Sequence, residues 1–242
     1  MRKGFHIFLI IAADFIAAVA AWILFYILRK YILHEMQVGI SFFLIGSAIM
    51  IAIFWVLFYA FCGFYVRVFR KSRIKEILNL VWTTFIGVVI IFFILLLDDE
   101  GVINYTQYYK TVGAYFILHL SITVILKILV LTHIKNLIKK GKIWFNTILI
   151  GSNKNAMEIY EELQNSKYSI GFRIVGYVHV FETTSRLLED KLRHFGDYKR
   201  LESVIRRCGI EQVIIAIEPS EHEKIQEVLS LVEGYSVRIS II

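Results

Sequence analysis

The sequence has two cysteines, Cys62 and Cys208, in 242 residues. That is too few for a disulfide framework, so both are read as reduced and structural. Neither has the His and Cys neighbours that a zinc site needs. Internal repeats and low-complexity tracts are also missing. In the second half no acid, base and nucleophile fall into a constellation. His179, His194 and His222 are scattered and read as surface residues, and Glu221, Glu223 and Glu227 read as the solvated face of a helix.

Apolar residues are abundant instead. The chain is 57% hydrophobic with a mean hydropathy of +0.64, against about 45–50% apolar in an ordinary soluble domain. The excess lies in four runs, Phe5–Leu28, Ile40–Phe61, Ile77–Leu97 and Val112–Leu131. Each approaches or exceeds the roughly 20 residues that cross a bilayer core. Ala18-Val19-Ala20 looks like a signal-peptide cleavage site, but the apolar run continues through Trp22, Phe25 and Leu28. The first run is therefore read as an uncleaved span.

The net charge of +7 sits beside the spans rather than in a nucleic-acid footprint. Arg67, Arg70, Lys71, Arg73 and Lys75 follow the second span, and Lys135, Lys139, Lys140 and Lys142 follow the fourth. The loop after the first span has only Arg29 and Lys30. The loop after the third has Asp98, Asp99 and Glu100 against Lys110. The Lys/Arg asymmetry predicts four spans with both termini in the cytoplasm. The lipid bilayer is the expected partner, and nucleic acid is not. Asp98-Asp99-Glu100 reads as solvated interface charge rather than a cation site.

Asp14, His119 and Lys127 lie inside spans, where an ionisable residue is a functional hypothesis by default. The plainer expectation is that Asp14 is protonated or bonded to a neighbouring helix. His119 is expected to stay neutral and bond another helix. Lys127 is expected to snorkel to the headgroups. Trp22, Trp144, Tyr65, Tyr105, Tyr108, Tyr109 and Tyr115 are assigned to aromatic belts at span ends.

From Phe145 the periodicity changes. Strands are expected at Phe145–Ile150, Phe172–Val178, Gln212–Ile217 and Ser236–Ile241. Helices are expected at Ala156–Gln164, Tyr198–Cys208 and Glu221–Glu233, with Gly209 stopping the second. The run from Glu182 to Phe195 reads as a loop with a short helical piece. This rhythm predicts a small Rossmann-like α/β domain with a parallel sheet. The division is 1–142 for the four-span helical bundle with its basic linker, and 143–242 for the α/β domain.

The first strand runs into Gly151-Ser152-Asn153-Lys154-Asn155-Ala156 and then a helix, the position of a dinucleotide-binding turn. Such a turn needs glycines for tightness and for close approach of a pyrophosphate. Only the first is present. Asn153 replaces the second and Ala156 the third. A ribose-holding carboxylate is missing at the tip of the second strand, with Glu182 three residues beyond His179. Gly151, Ser152, Asn153 and Asn155 are the candidate site for a nucleotide or another phosphate ligand. The other reading is a domain used for packing, dimerisation or regulation.

Three stretches together carry a family resemblance: Phe69–Asp99 (FRKSRIKEILNLVWTTFIGVVIIFFILLLDD), Phe145–Val178 (FNTILIGSNKNAMEIYEELQNSKYSIGFRIVGYV) and Phe195–Ser220 (FGDYKRLESVIRRCGIEQVIIAIEPS). The chain resembles the N-terminal half of a bacterial polyprenyl-phosphate sugar-1-phosphate transferase of exopolysaccharide synthesis, with four spans and a Rossmann-like, CoA-binding-type module. The resemblance implies a place in the bacterial inner membrane and a role in transfer of a sugar 1-phosphate from a nucleotide sugar to undecaprenyl phosphate. It also implies that the catalytic module, with its Asp-Glu pair and Mg²⁺, follows this region. The sequence stops at Ile242, so no residue here inherits a catalytic role. No cofactor is expected in this chain, and Mg²⁺ only with the catalytic module. The implied role is anchoring, dimerisation or regulation of a transferase module acting in cis or in trans. A second copy of the chain, a nucleotide and a nucleotide sugar are the other candidate partners. The same arrangement also resembles the front of membrane-bound nucleotide-sugar 4,6-dehydratases.

Overall fold

The structure is a computed structural model that describes residues 3–32, 42–66, 68, 73–96, 105–165, 171–181, 187–217, 224–235 and 237–241. Expectations placed on Arg2, Arg67, Arg70, Lys71, Asp98–Glu100, Glu182, Glu221, His222 and Glu223 lie outside these residues, as do those on the side chains of Arg73, Tyr105 and Tyr108. The chain divides into two compact units, 1–135 and 136–242.

The first unit is helical. Helix α1 is Lys3–Ile32, α2 is Phe42–Phe61, α3 is Arg73–Ile91 and α4 is Tyr105–Lys139. A π-helical turn, Phe92–Leu96, extends α3. All four are long and apolar enough to cross a membrane. Their outward positions are apolar too: Phe8, Met50, Leu57 and Trp82 are all exposed. A helix that is apolar all round belongs in a hydrocarbon solvent.

Inside this unit the packing is aromatic. Trp55, Tyr59 and Tyr115 are completely buried, with Phe25 beside them. The Trp55 ring fills the space that Gly87 leaves open on α3, where a Cβ would come within 2.4 Å of it. Tyr115, expected at a headgroup belt, instead lies in this core. Helix α4 begins ten residues before it, which moves it away from the span end.

The second unit is α/β. Strands β1 (Phe145–Ile150), β2 (Phe172–His179), β3 (His194–Asp197), β4 (Gln212–Ile215) and β5 (Arg238–Ile241) form a wholly parallel sheet in the order β3-β2-β1-β4-β5. Helices α5 (Lys154–Asn165), α6 (Leu201–Cys208) and α7 (Ile225–Val232) connect them. β1 is central and almost wholly buried, as its unbroken apolar run requires. Alternate β1 residues feed two cores. Ile148 and Ile150 pack with Leu201, Val204 and Val228, and Leu149 packs with Ala156, Ile159 and Tyr177.

Gly209 ends α6 in the left-handed conformation at φ 55°, as the sequence predicts. The segment read as a loop with a short helical piece contains β3 at its end. That strand is four residues long and half-buried, and its Gly and Asp carry a turn signal rather than a strand signal.

Candidate functional site

The strand order reverses between β1 and β4, so the connections leave β1 in opposite directions along the sheet. A crevice forms at such a switch point, outside the carboxyl ends of the two strands. The turn after β1 occupies it.

Gly151 opens the turn at φ 122°. A side chain there would be strained, and its Cβ would lie 2.1 Å from the Ala216 carbonyl oxygen. The glycine therefore serves the close approach of the β1 turn to the end of β4. Ser152 is completely buried, and its carbonyl accepts a hydrogen bond from the Leu187 amide at 3.2 Å. Its hydroxyl has no hydrogen-bond partner.

Asn153 stands where a dinucleotide turn has its second glycine, and it caps α5. Its Oδ1 accepts from the Ala156 amide at 3.1 Å and its carbonyl from the Met157 amide at 3.1 Å. The side chain thereby closes one of the four amides left open at a helix start, and the Met157 amide makes the first bond of the helix itself. Asn155 Nδ2 reaches the Ile217 carbonyl at 3.5 Å and ties the turn to β4. The four residues singled out from the sequence thus lie together at the switch point. The first-turn amides of α5, a buried hydroxyl and the positive end of the helix suit a phosphate oxygen. They do not make a glycine cradle.

The tip of β2 differs from expectation. His179 and His194, read as scattered surface residues, are hydrogen-bonded to each other, Nδ1 to Nε2 at 2.7 Å. His179 is buried, and the His194 ring stacks on Tyr177 at 4.9 Å. β3, absent from the expected elements, carries His194 alongside β2. This pair stands where a carboxylate would hold a ribose diol. Imidazoles can donate where a carboxylate only accepts.

In the helical unit, Asp14 and Lys127 form a buried ion pair, Nζ to Oδ2 at 3.1 Å, with side chains 2% and 4% exposed. Lys127 does not snorkel. α4 turns it inward, where Asp14 accepts from it and the rings of Phe64 and Tyr59 lie 4.7 and 5.2 Å from its nitrogen. His119 bonds another helix as expected, Nε2 to the Tyr59 hydroxyl at 3.0 Å. Trp55 donates to the Tyr115 hydroxyl at 2.8 Å. Trp22, also assigned to a belt, donates to Ser47 at 3.0 Å. Among the described residues no three His, Cys, Asp or Glu gather as metal ligands.

No curated protein matches the chain. A family model described as a CoA-binding domain matches residues 60–242, from the end of α2 to the end of the sheet. The match covers well over half of the sequence and includes the parallel sheet and the β1 turn just described, so the chain belongs to the CoA-binding domain family.

Proposed function

We propose that this chain is the membrane-anchoring and regulatory part of a polyprenyl-phosphate sugar-1-phosphate transferase that initiates exopolysaccharide or capsule synthesis. The observation that supports this reading best is the order of parts. Four membrane-length helices are followed by a parallel α/β unit, with one family match running from the end of the second helix to the last strand. In this reading the bilayer is the bacterial inner membrane, and both termini and the α/β unit face the cytoplasm, where nucleotide sugars are found. The phosphoryl transfer itself belongs to a catalytic module acting in cis or in trans.

The α/β unit contributes a ligand site at the β1 turn. Gly151 brings the turn against β4, Asn153 fixes the start of α5, and the amides of Lys154 and Asn155 with the Ser152 hydroxyl hold a phosphate oxygen. CoA, a nucleotide and a nucleotide sugar all supply such a group. The His179–His194 pair favours a ribose that carries a phosphate, as in CoA, over a free diol. Occupancy of the turn would then report the supply of an activated metabolite to the transferase.

Membranes from cells with and without this chain test the first part. Transfer of labelled sugar 1-phosphate from a nucleotide sugar to endogenous lipid phosphate is expected to disappear without it and return with the full chain. Normal transfer in its absence overturns the reading. Equilibrium dialysis of the full chain in detergent tests the second part. CoA or a nucleotide is expected to bind, and Ser152→Ala to weaken binding. No binding of CoA, nucleotide or nucleotide sugar at millimolar concentration removes the ligand site and leaves the anchoring role.

A further inference from the structure

The buried polar side chains of the helical unit follow a pattern that anchoring does not explain. On α4, Thr111, Tyr115, His119, Thr123 and Lys127 recur at every fourth position, and all are under 5% exposed. Four-residue spacing stacks side chains along one helix face. At about 1.5 Å per residue the stripe is about 24 Å long, most of a bilayer core of about 30 Å. The other three helices each turn a polar group toward it: Asp14 from α1, Tyr59 from α2 and Thr84 from α3.

Some of these groups are satisfied within the protein. Lys127 has Asp14, His119 Nε2 has the Tyr59 hydroxyl, and Tyr115 has Trp55. Others have no hydrogen-bond partner: the hydroxyls of Thr84, Thr111 and Thr123, and Nδ1 of His119. A helical threonine commonly bonds the carbonyl four residues back, and none of these three does. Thr84 and Thr123 instead lie beside the Tyr59 hydroxyl, and the Tyr65 hydroxyl lies beside Asp14. Neighbouring buried polar groups with bonding capacity left over are what a bridging water joins. Leaving them unpaired in a hydrocarbon environment would cost several kcal/mol each.

We propose that the hydroxyls of Tyr59, Thr84 and Thr123, beside His119, form a water-binding site inside the membrane-spanning unit. Its ligand is water, held by hydroxyl groups from three helices. A buried water needs two to four polar partners, and this cluster offers three hydroxyls. The site lies one helical turn from Lys127, so the bound water connects the Tyr59–His119 pair toward the Asp14–Lys127 pair.

Millisecond X-ray radiolysis of the full chain in lipid nanodiscs tests this, because hydroxyl radicals form wherever water is bound. Oxidation is read by mass spectrometry and normalised for intrinsic reactivity. Tyr59 and His119 are expected to label several-fold faster than Ile51 and Ile91, which are equally buried among apolar neighbours. The paired substitutions Thr84→Val and Thr123→Val keep the shape and remove two of its hydroxyls, and are expected to reduce labelling of Tyr59 and His119 several-fold. Wild-type labelling no faster than at Ile51 and Ile91 overturns the site, as does unchanged labelling in a folded valine pair. If the valine pair fails to fold, the wild-type rates alone decide.

Discussion

The two units solve the problem of an interior in opposite ways. The α/β unit fills its larger core with Ile, Val and Leu from β1, β4, α6 and α7, and its buried Ser152, Asn153 and His179 lie at the carboxyl ends of the strands. The helical unit centres its core on Trp55, Tyr59, Tyr115 and Phe25 and threads an ion pair and several hydrogen bonds through it. The solvent accounts for the difference. In water, burying an aliphatic side chain is itself favourable. In lipid, an apolar side chain gains little by leaving the tails, so specificity falls to shape and to interhelical polar contacts. Apolarity separates inside from outside in the second unit and says almost nothing in the first.

The largest effect that would sharpen this comparison is expected at the ion pair. Asp14→Ala leaves Lys127 buried without its carboxylate and should destabilise the helical unit by about 3–5 kcal/mol. Loss of helicity during SDS titration in mixed micelles measures it. The pair Asp14→Leu with Lys127→Met should recover most of that loss, because an apolar pair leaves no uncompensated charge. A double variant as unstable as the single one would break the comparison, since the pair would then be more than a mutual neutralisation.

A smaller loss is expected in the α/β unit at Gly151→Ala. The strained φ costs about 1–3 kcal/mol, and the Cβ also meets the Ala216 carbonyl. Denaturant unfolding followed by Trp144 fluorescence reads it, and the SDS transition of the helical unit should stay in place. Removing the α5 cap with Asn153→Ala should cost about 1 kcal/mol in the same assay.

The smallest effect is electrostatic and on the surface. Lys224 donates to Glu227 at 2.6 Å, and the Tyr198 hydroxyl also donates to it. The hydrogen bond from Lys224, followed by that from Tyr198, holds the Glu227 carboxyl below its ordinary value. A carboxylate depressed in the folded state stabilises at neutral pH, and that contribution is lost as pH falls through the folded pKa. Amide protection along α7, taken relative to the intrinsic exchange rate at each pH, should therefore fall below the ordinary carboxylate range. Glu227→Gln should show the lower protection at neutral pH and lose its acid dependence.

Periodicity carried much of this in the sequence. The four apolar runs became four helices, FNTILI became β1 and the first four residues of QVIIAI became β4, because each was long or uniform enough to outvote its neighbours. Gly209 was readable because a left-handed stop favours one residue. The candidate turn was readable as a turn, but the capping by Asn153 and the tie from Asn155 to β4 depend on atoms that only the fold brings together. β3 was missed because four half-buried residues, two of them Gly and Asp, have no periodicity to read. The pairing of His179 with His194 was missed with it. Lys127 was misassigned because distance from a span end does not say which way a helix turns. The four-residue recurrence from Thr111 to Lys127 was the signal that could have placed it.

Trp55 does more than fill the space beside Gly87. Its ring lies flat on His119, with centroids 3.9 Å apart and planes within 19°. An imidazole in van der Waals contact with an indole quenches its emission far more strongly once it carries a proton. The chain has four tryptophans, and this one is stacked on a buried imidazole. Its brightness would follow any event that moves a proton onto or off His119, with no label attached.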